Sequence, residues 1–230
     1  MRGLLHVASS CCAIVAVCTT LALGCSLLLS DTCIGQVRIN EILADPGQDW
    51  NGDGAIDFKN DEWVEIVNGG SDITSLENLR LSDGSQLTFR YGFSGFLAPG
   101  ARVVVYGSQS VAWELANGWA TAGLSLNNAG DSVHLWHVTA SDTTLVDSYT
   151  YVSHEALKDR STGRVPDGGD TWSIFDALNP YSGTTPPLGT GCRPTPGIVN
   201  GCPTAVTAST WGAVKQLFAE TGRGAQPNGR

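Results

Sequence analysis

Side chains that carry oxygen recur at close, regular intervals in one short stretch, DWNGDGAID, which holds Asp49, Asn51, Asp53 and Asp57 with Gly54 among them. Hard oxygen donors at alternate positions are what calcium takes, and the front of an EF-hand-type loop is spaced this way. Asp49, Asn51 and Asp53 fall at the first, third and fifth places of such a loop, and Gly54 permits the sharp turn. Ala55 offers its backbone carbonyl at the seventh place and Asp57 stands at the ninth. Asn60 occupies the twelfth place, where a bidentate Glu is usual, and Asp61 or Glu62 follows to close the shell. Unliganded, these acids repel one another, so a bound ion would order the loop with a dissociation constant on the order of 10⁻⁴–10⁻³ M, as in extracellular modules. The competing reading is a Gly/Asn/Asp turn that binds nothing.

Other groups capable of chemistry are scattered. Asp61, Glu62 and Glu65 supply carboxylates, but glycoside hydrolysis needs two at a defined separation, which spacing alone does not give. His134 and His137 lie in HLWH, where strand alternation puts them on opposite faces and away from a shared metal. His154 and Glu155 read as a surface pair in a loop. Ser94 in GFSGF has no assignable base, and no G-x-S-x-G elbow, HExxH or P-loop occurs. The reading is therefore no enzyme, with a secreted hydrolase as the remote alternative. Of the 7 tryptophans, Trp113 and Trp119 lie in a loop-like region and are candidates to stack on sugar rings. The ordinary alternative is packing of loops onto a core.

Composition limits the partners. The net charge is −9 over 230 residues, which argues against nucleic acid, since phosphate binding needs a basic surface. Arg2 followed by the uncharged, mostly apolar run from Ala13 to Leu29 reads as a secretory signal peptide over residues 1–35. A single membrane anchor is the alternative, and Leu23-Gly24-Cys25 hints at lipoprotein processing. On the first reading the mature chain has no membrane span, is secreted or held in the cell envelope, and meets a protein or a glycan at the cell surface. Five of the 7 cysteines then leave with the leader, and Cys192 and Cys202 remain as a predicted disulfide. Closing that loop stabilises by about 2.5–3 kcal/mol on the chain-entropy view.

The elements that must position these residues are short. Strands are predicted over Val37–Leu43, Glu62–Val67, Leu79–Ser82, Gln86–Arg90, Arg102–Tyr106, Ser132–His137 and Leu145–Val152. Turn chemistry separates most of them: Asn68-Gly69-Gly70, Asp83-Gly84 and Ala98-Pro99-Gly100. With 28 glycines and 10 prolines against 15% charged residues, the pattern is all-β and suggests an antiparallel β-sandwich. Val103, Val104 and Val105 read as a strand buried on both faces. Ser110 to Trp119 weakly favours a short helix. Residues 160–200 are rich in Gly, Pro, Thr and Asp, and are expected to wrap over the sandwich on aromatic anchors. In the tail, 201–230, Trp211, Val214, Leu217 and Phe218 have helical spacing within 209–220.

Taken together, RINEILADP, DEWVEIVNGG, LENLRLSDG, FLAPGARVVVYG, LSLNNAGDSVHLWH, LVDSYTY, STGRVPDGG and PTPGIVN resemble, in order, the lamin tail domain in its bacterial exported form. The resemblance implies one immunoglobulin-like sandwich over residues 36–200, non-catalytic, of a kind often attached to secreted hydrolases or used for binding. Asn78-Leu79 departs from the Gly-Trp frequent in the family, and DWNGDGAID looks like an insertion found in some bacterial members. No coiled-coil heptads precede the domain, so filament formation is not implied. The resulting expectation is adhesion or cell-surface binding with a structural Ca²⁺ loop; the alternative is a carbohydrate-binding module.

Overall fold

The computed structural model describes residues 36–84 and 87–202. The expected signal peptide over 1–35 and the expected helix over 209–220 lie outside the described residues. The chain runs β1 (Val37–Leu43), β2 (Trp63–Asn68), β3 (Thr74–Ser75), β4 (Leu79–Asp83), β5 (Phe89–Gly92), β6 (Phe96–Leu97), β7 (Arg102–Tyr106), α1 (Gly107–Ala116), β8 (Gly130–Val138), β9 (Thr143–Val152), β10 (Ser161–Arg164) and β11 (Trp172–Phe175). A 5-stranded sheet has the order β11-β10-β1-β2-β7, a 4-stranded sheet the order β5-β4-β8-β9, and β3 and β6 form a small pair. All of these ladders are antiparallel.

Alternation builds the core. Val37, Ile39, Val64, Ile66 and Val105 from the larger sheet meet Leu79, Leu81, Val133 and Leu135 from the smaller one in a single buried cluster. The result is a two-layer sandwich of the kind the strand pattern implies. A bulge between Ile39 and Glu41 shifts the phase of β1, so the inward residues change from Val37 and Ile39 to Ile42 and Ala44. The same bulge sends Asn40 and Glu41 away from the apolar core, although both remain fully buried.

Their burial comes from the segment after β9, which does more than wrap. β10 pairs with β1 and β11 pairs with β10, so residues 161–175 extend the larger sheet. β10, Ser-Thr-Gly-Arg, carries no apolar alternation, which is why the pattern missed it. The chain then runs across the outer face as far as Asn200. Val103 to Val105 do not form a strand buried on both faces: β7 is an edge of its sheet, and only Val105 is buried while Val103 and Val104 are partly exposed. The strand expected from Gln86 begins at Phe89 instead. Its Arg90 is drawn into ion pairs with Asp83 at 3.2 Å and Glu114 at 3.3 Å.

The helix forms, starting earlier than expected. Gly107 opens it where a Cβ would collide with the Lys59 carbonyl, so only glycine fits this approach. Its N–H donates to the Glu62 carbonyl at 2.8 Å, and Ser110 Oγ donates to the Arg90 carbonyl at 2.7 Å. The helix is thereby tied to the start of β2 and to β5.

Candidate functional site

The oxygen-rich loop between β1 and β2 is held open by its own acids. Asp49 Oδ1 accepts from the N–H groups of Gly52 at 2.7 Å and Asp53 at 3.1 Å, and Oδ2 accepts from Gly54 at 2.9 Å. Asn51 Oδ1 accepts from Asp53 N, and Asp53 Oδ1 accepts from Ala55 N. Gly54 has φ +88°, the left-handed turn its place in the motif requires. Asp57 caps the next turn by accepting from Lys59 N and Asn60 N, and these two bonds hold its carboxyl below the usual range. The Asn60 carbonyl accepts from Ser108 N at 3.1 Å.

Asp61 stands apart from the others. It is fully buried, and its two oxygens accept from Trp50 N, Asn51 N and Asp57 N at 2.8–3.0 Å. It therefore frames the loop from within. Glu62 points away from the loop: its Oε2 accepts from Leu126 N at 3.2 Å, and burial pushes its carboxyl up to about 8. The structure thus brings Asp49, Asn51 and Asp53 together at the loop tip and sends Glu62 elsewhere. Among the described residues no three His, Cys, Asp or Glu side chains converge on a common point as metal ligands. An ion here would lean on Asn51 and on backbone carbonyls such as that of Ala55 as well as on Asp49 and Asp53.

Trp113 and Trp119 are brought together by α1 and the turn after it. Their ring centroids lie 5.9 Å apart; Trp119 is also 6.3 Å from Phe89, and Trp113 is 6.4 Å from Tyr91. Gly92 has no side chain and so leaves room for the Trp113 indole against β5. Trp119 remains 40% exposed, which places a partly open aromatic plate on the surface.

The group that sequence reasoning missed is on the outer face of the larger sheet. Glu41 and Glu65 face each other across β1 and β2, a pairing of like charges that would destabilise a bare sheet. Glu41 accepts from Ser161 Oγ, from Thr195 N at 3.1 Å and from Thr195 Oγ1 at 2.6 Å. Glu65 accepts from Asn40 Nδ2 at 2.7 Å and Gly197 N at 2.6 Å. Asn200 Nδ2 donates to the carbonyls of Asn40 and Arg164, and Asp167 pairs with Arg102. Burial raises the Glu41 carboxyl to about 7, against the pull of its hydrogen bonds; burial raises Glu65 as well. Cys192 and Cys202 are joined in a disulfide, with Cα atoms 4.9 Å apart, on either side of this docked segment. The repeated Asn and Glu in INEI and VEIVN were a visible signal, because polar residues inside β-branched runs need buried partners.

The remaining sites resolve into structure. His134 stacks on Trp136 along β8 with centroids 5.7 Å apart. Ser94 is exposed. Glu155 is not at the surface: it is buried and accepts from Tyr149 Oη, Val152 N and Thr162 Oγ1, so it ties β9 to β10.

A family model described as Lamin Tail Domain matches residues 31–153, more than half of the chain. The match takes in β1 through β9 and includes the oxygen-rich loop; β10, β11 and the docked 194–200 segment lie beyond it. No curated protein and no solved structure matches the chain.

Proposed function

We propose, from the premise that this chain belongs to the lamin tail domain family, that it works outside the cytoplasm as a non-catalytic module for adhesion or cell-surface binding. The family is one of immunoglobulin-like domains, and among the described residues no helix is long and apolar enough to cross a membrane. Export is supported by the leader-like residues 1–35 and by the Cys192–Cys202 disulfide, a bond that persists in oxidising compartments. The observation that carries the binding reading is the aromatic group of Phe89, Trp113 and Trp119. Phe89 comes from β5, Trp113 from α1 and Trp119, partly open, from the turn after it, and anchored aromatic side chains dominate recognition surfaces. The test is binding of the labelled exported chain to native envelopes. Trp119→Ala is expected to weaken binding tenfold or more without changing the melting temperature; undiminished binding would reject this surface.

The same rings favour a second reading, a carbohydrate-binding module, because exposed indoles stack on sugar faces. A glycan array separates the two. Saccharide binding lost in Trp113→Ala and Trp119→Ala selects the module, and envelope binding without any glycan signal selects a protein partner.

Calcium at the loop belongs to the same proposal. Asp49, Asn51, Asp53 and the Ala55 carbonyl are the residues to hold it, Asp61 would brace the loop from beneath, and the ion would serve stability. The alternate spacing of these oxygens and the turn at Gly54 support this reading. Calorimetry with millimolar calcium should register heat that Asp49→Ala with Asp53→Ala removes.

A further inference from the structure

A cleft of about 650 Å³ opens between the end of the oxygen-rich loop and the segment before β8, lined by Phe58, Lys59, Glu62, Ser125, Asn127 and Asn128. Nothing in the readings above uses it. Its wall holds one buried acid, Glu62. Glu62 is 4% exposed; its Oε2 accepts from Leu126 N at 3.2 Å, and the backbone amides of Ser125 and Leu126 both favour its charged form. At the mouth, the aromatic ring of Phe58 is 77% exposed. Ser125 bends the segment with a left-handed φ of +61°, unusual for a residue with a side chain.

The chemistry of the lining selects among ligands. Sugar hydroxyls both donate and accept. The amides of Asn127 and Asn128 do the same, and the Glu62 carboxyl, held protonated near neutral pH by burial, does so too. The Phe58 ring offers an apolar plate for the C–H face of a pyranose. An anion such as phosphate is disfavoured, because the cation of the lining, Lys59 Nζ, already donates to the Thr121 carbonyl. We infer that this cleft binds a neutral saccharide unit, stacked on Phe58 and hydrogen-bonded to Asn127, Asn128 and Glu62.

This site is independent of the Trp113–Trp119 reading, although the segment from Trp119 to Asn128 leads from one to the other. The test is calorimetric titration of the exported chain with cellotetraose, chitotetraose and a galactose tetramer, with inorganic phosphate as the charged control. Binding of at least one neutral oligosaccharide is expected. Phe58→Ala and Asn128→Ala, both at exposed positions, should each weaken it tenfold or more while the melting temperature holds. The inference is overturned if no neutral oligosaccharide binds, if phosphate alone binds, or if affinity survives both cleft substitutions. Loss with Trp119→Ala but not with the cleft variants would support the aromatic plate and reject the cleft.

Discussion

Two ends of β2 gather carboxylates and treat them differently. On the outer face of the larger sheet, Glu41 and Glu65 are buried and met by Ser161, Thr195, Asn40 and Gly197. Where β2 begins, Glu62 is buried too, but backbone amides of one short segment meet it, with no side-chain donor, and it borders a cleft. A buried acid met by side chains from distant segments fixes the chain in one arrangement, whereas one at the wall of a cleft stands where something else can meet it. The first region is a latch for residues 194–200; the second is a place to look for a ligand.

The sharpest way to break this contrast is to truncate both acids. Glu41→Ala strands the Ser161 and Thr195 donors inside the protein and should cost about 3–5 kcal/mol. Glu62→Ala strands only backbone amides and should cost about 1–3 kcal/mol. Urea unfolding of the two variants measures the gap, and equal losses would erase the distinction.

Acidity sharpens it next. The Glu41 carboxyl rises from 4.5 in the unfolded chain to about 7 when folded, and Glu62 from 4.5 to about 8. The folded protein therefore holds these protons at a pH where the unfolded chain has released them. Stability is greatest near and below pH 4.5 as far as these groups are concerned, falls as pH rises, and has lost their full contribution above pH 7 for Glu41 and above pH 8 for Glu62. At about 1.4 kcal/mol per pKa unit, Glu41 accounts for a change on the order of 3 kcal/mol. Melting curves should move upward from pH 8 to pH 5, and Glu41→Gln should flatten the share of the slope that ends near pH 7.

The disulfide comes third. Replacing Cys192 and Cys202 by serine should remove about 2.5–3 kcal/mol and loosen the latch, seen as faster amide exchange at Thr195 and Gly197. Calcium follows: at tenfold excess over its dissociation constant the ion should add about 1.4 kcal/mol, read as a rise in melting temperature that Asp49→Ala with Asp53→Ala abolishes. Smallest of all is the effect of Trp119→Ala on stability, expected within about 1 kcal/mol because the ring is partly open, so its loss should be felt in binding instead.

Much of the fold was legible where side-chain alternation carries it. The bounds of β1 and β7 were read as Val37–Leu43 and Arg102–Tyr106, as the structure has them, because β-branched runs bounded by turn residues leave little choice. The phase shift in β1 was not legible, since a bulge leaves no mark in composition. Nor was the strand character of Ser161–Arg164, which comes from its hydrogen bonds to β1 and not from apolar residues of its own. At the loop, the spacing of Asp49, Asn51 and Asp53 was readable, but the roles of Asp61 and Glu62 were not, because adjacent residues at a strand's start point to opposite sides.

Local order along the chain was enough to determine the strands with apolar alternation, most of their turns, the family, the acidic character and the cysteine pair. Those features rest on near neighbours: side-chain period, turn residues and composition. Only the tertiary structure decided which acids are buried and which of them are satisfied. Glu41 meets Ser161 across 120 residues and Thr195 across 154, and Glu62 meets Leu126 across 64. The environment of a carboxylate is set by what the fold brings to it through space, and hydrogen bonds over such separations leave no periodic trace in the sequence.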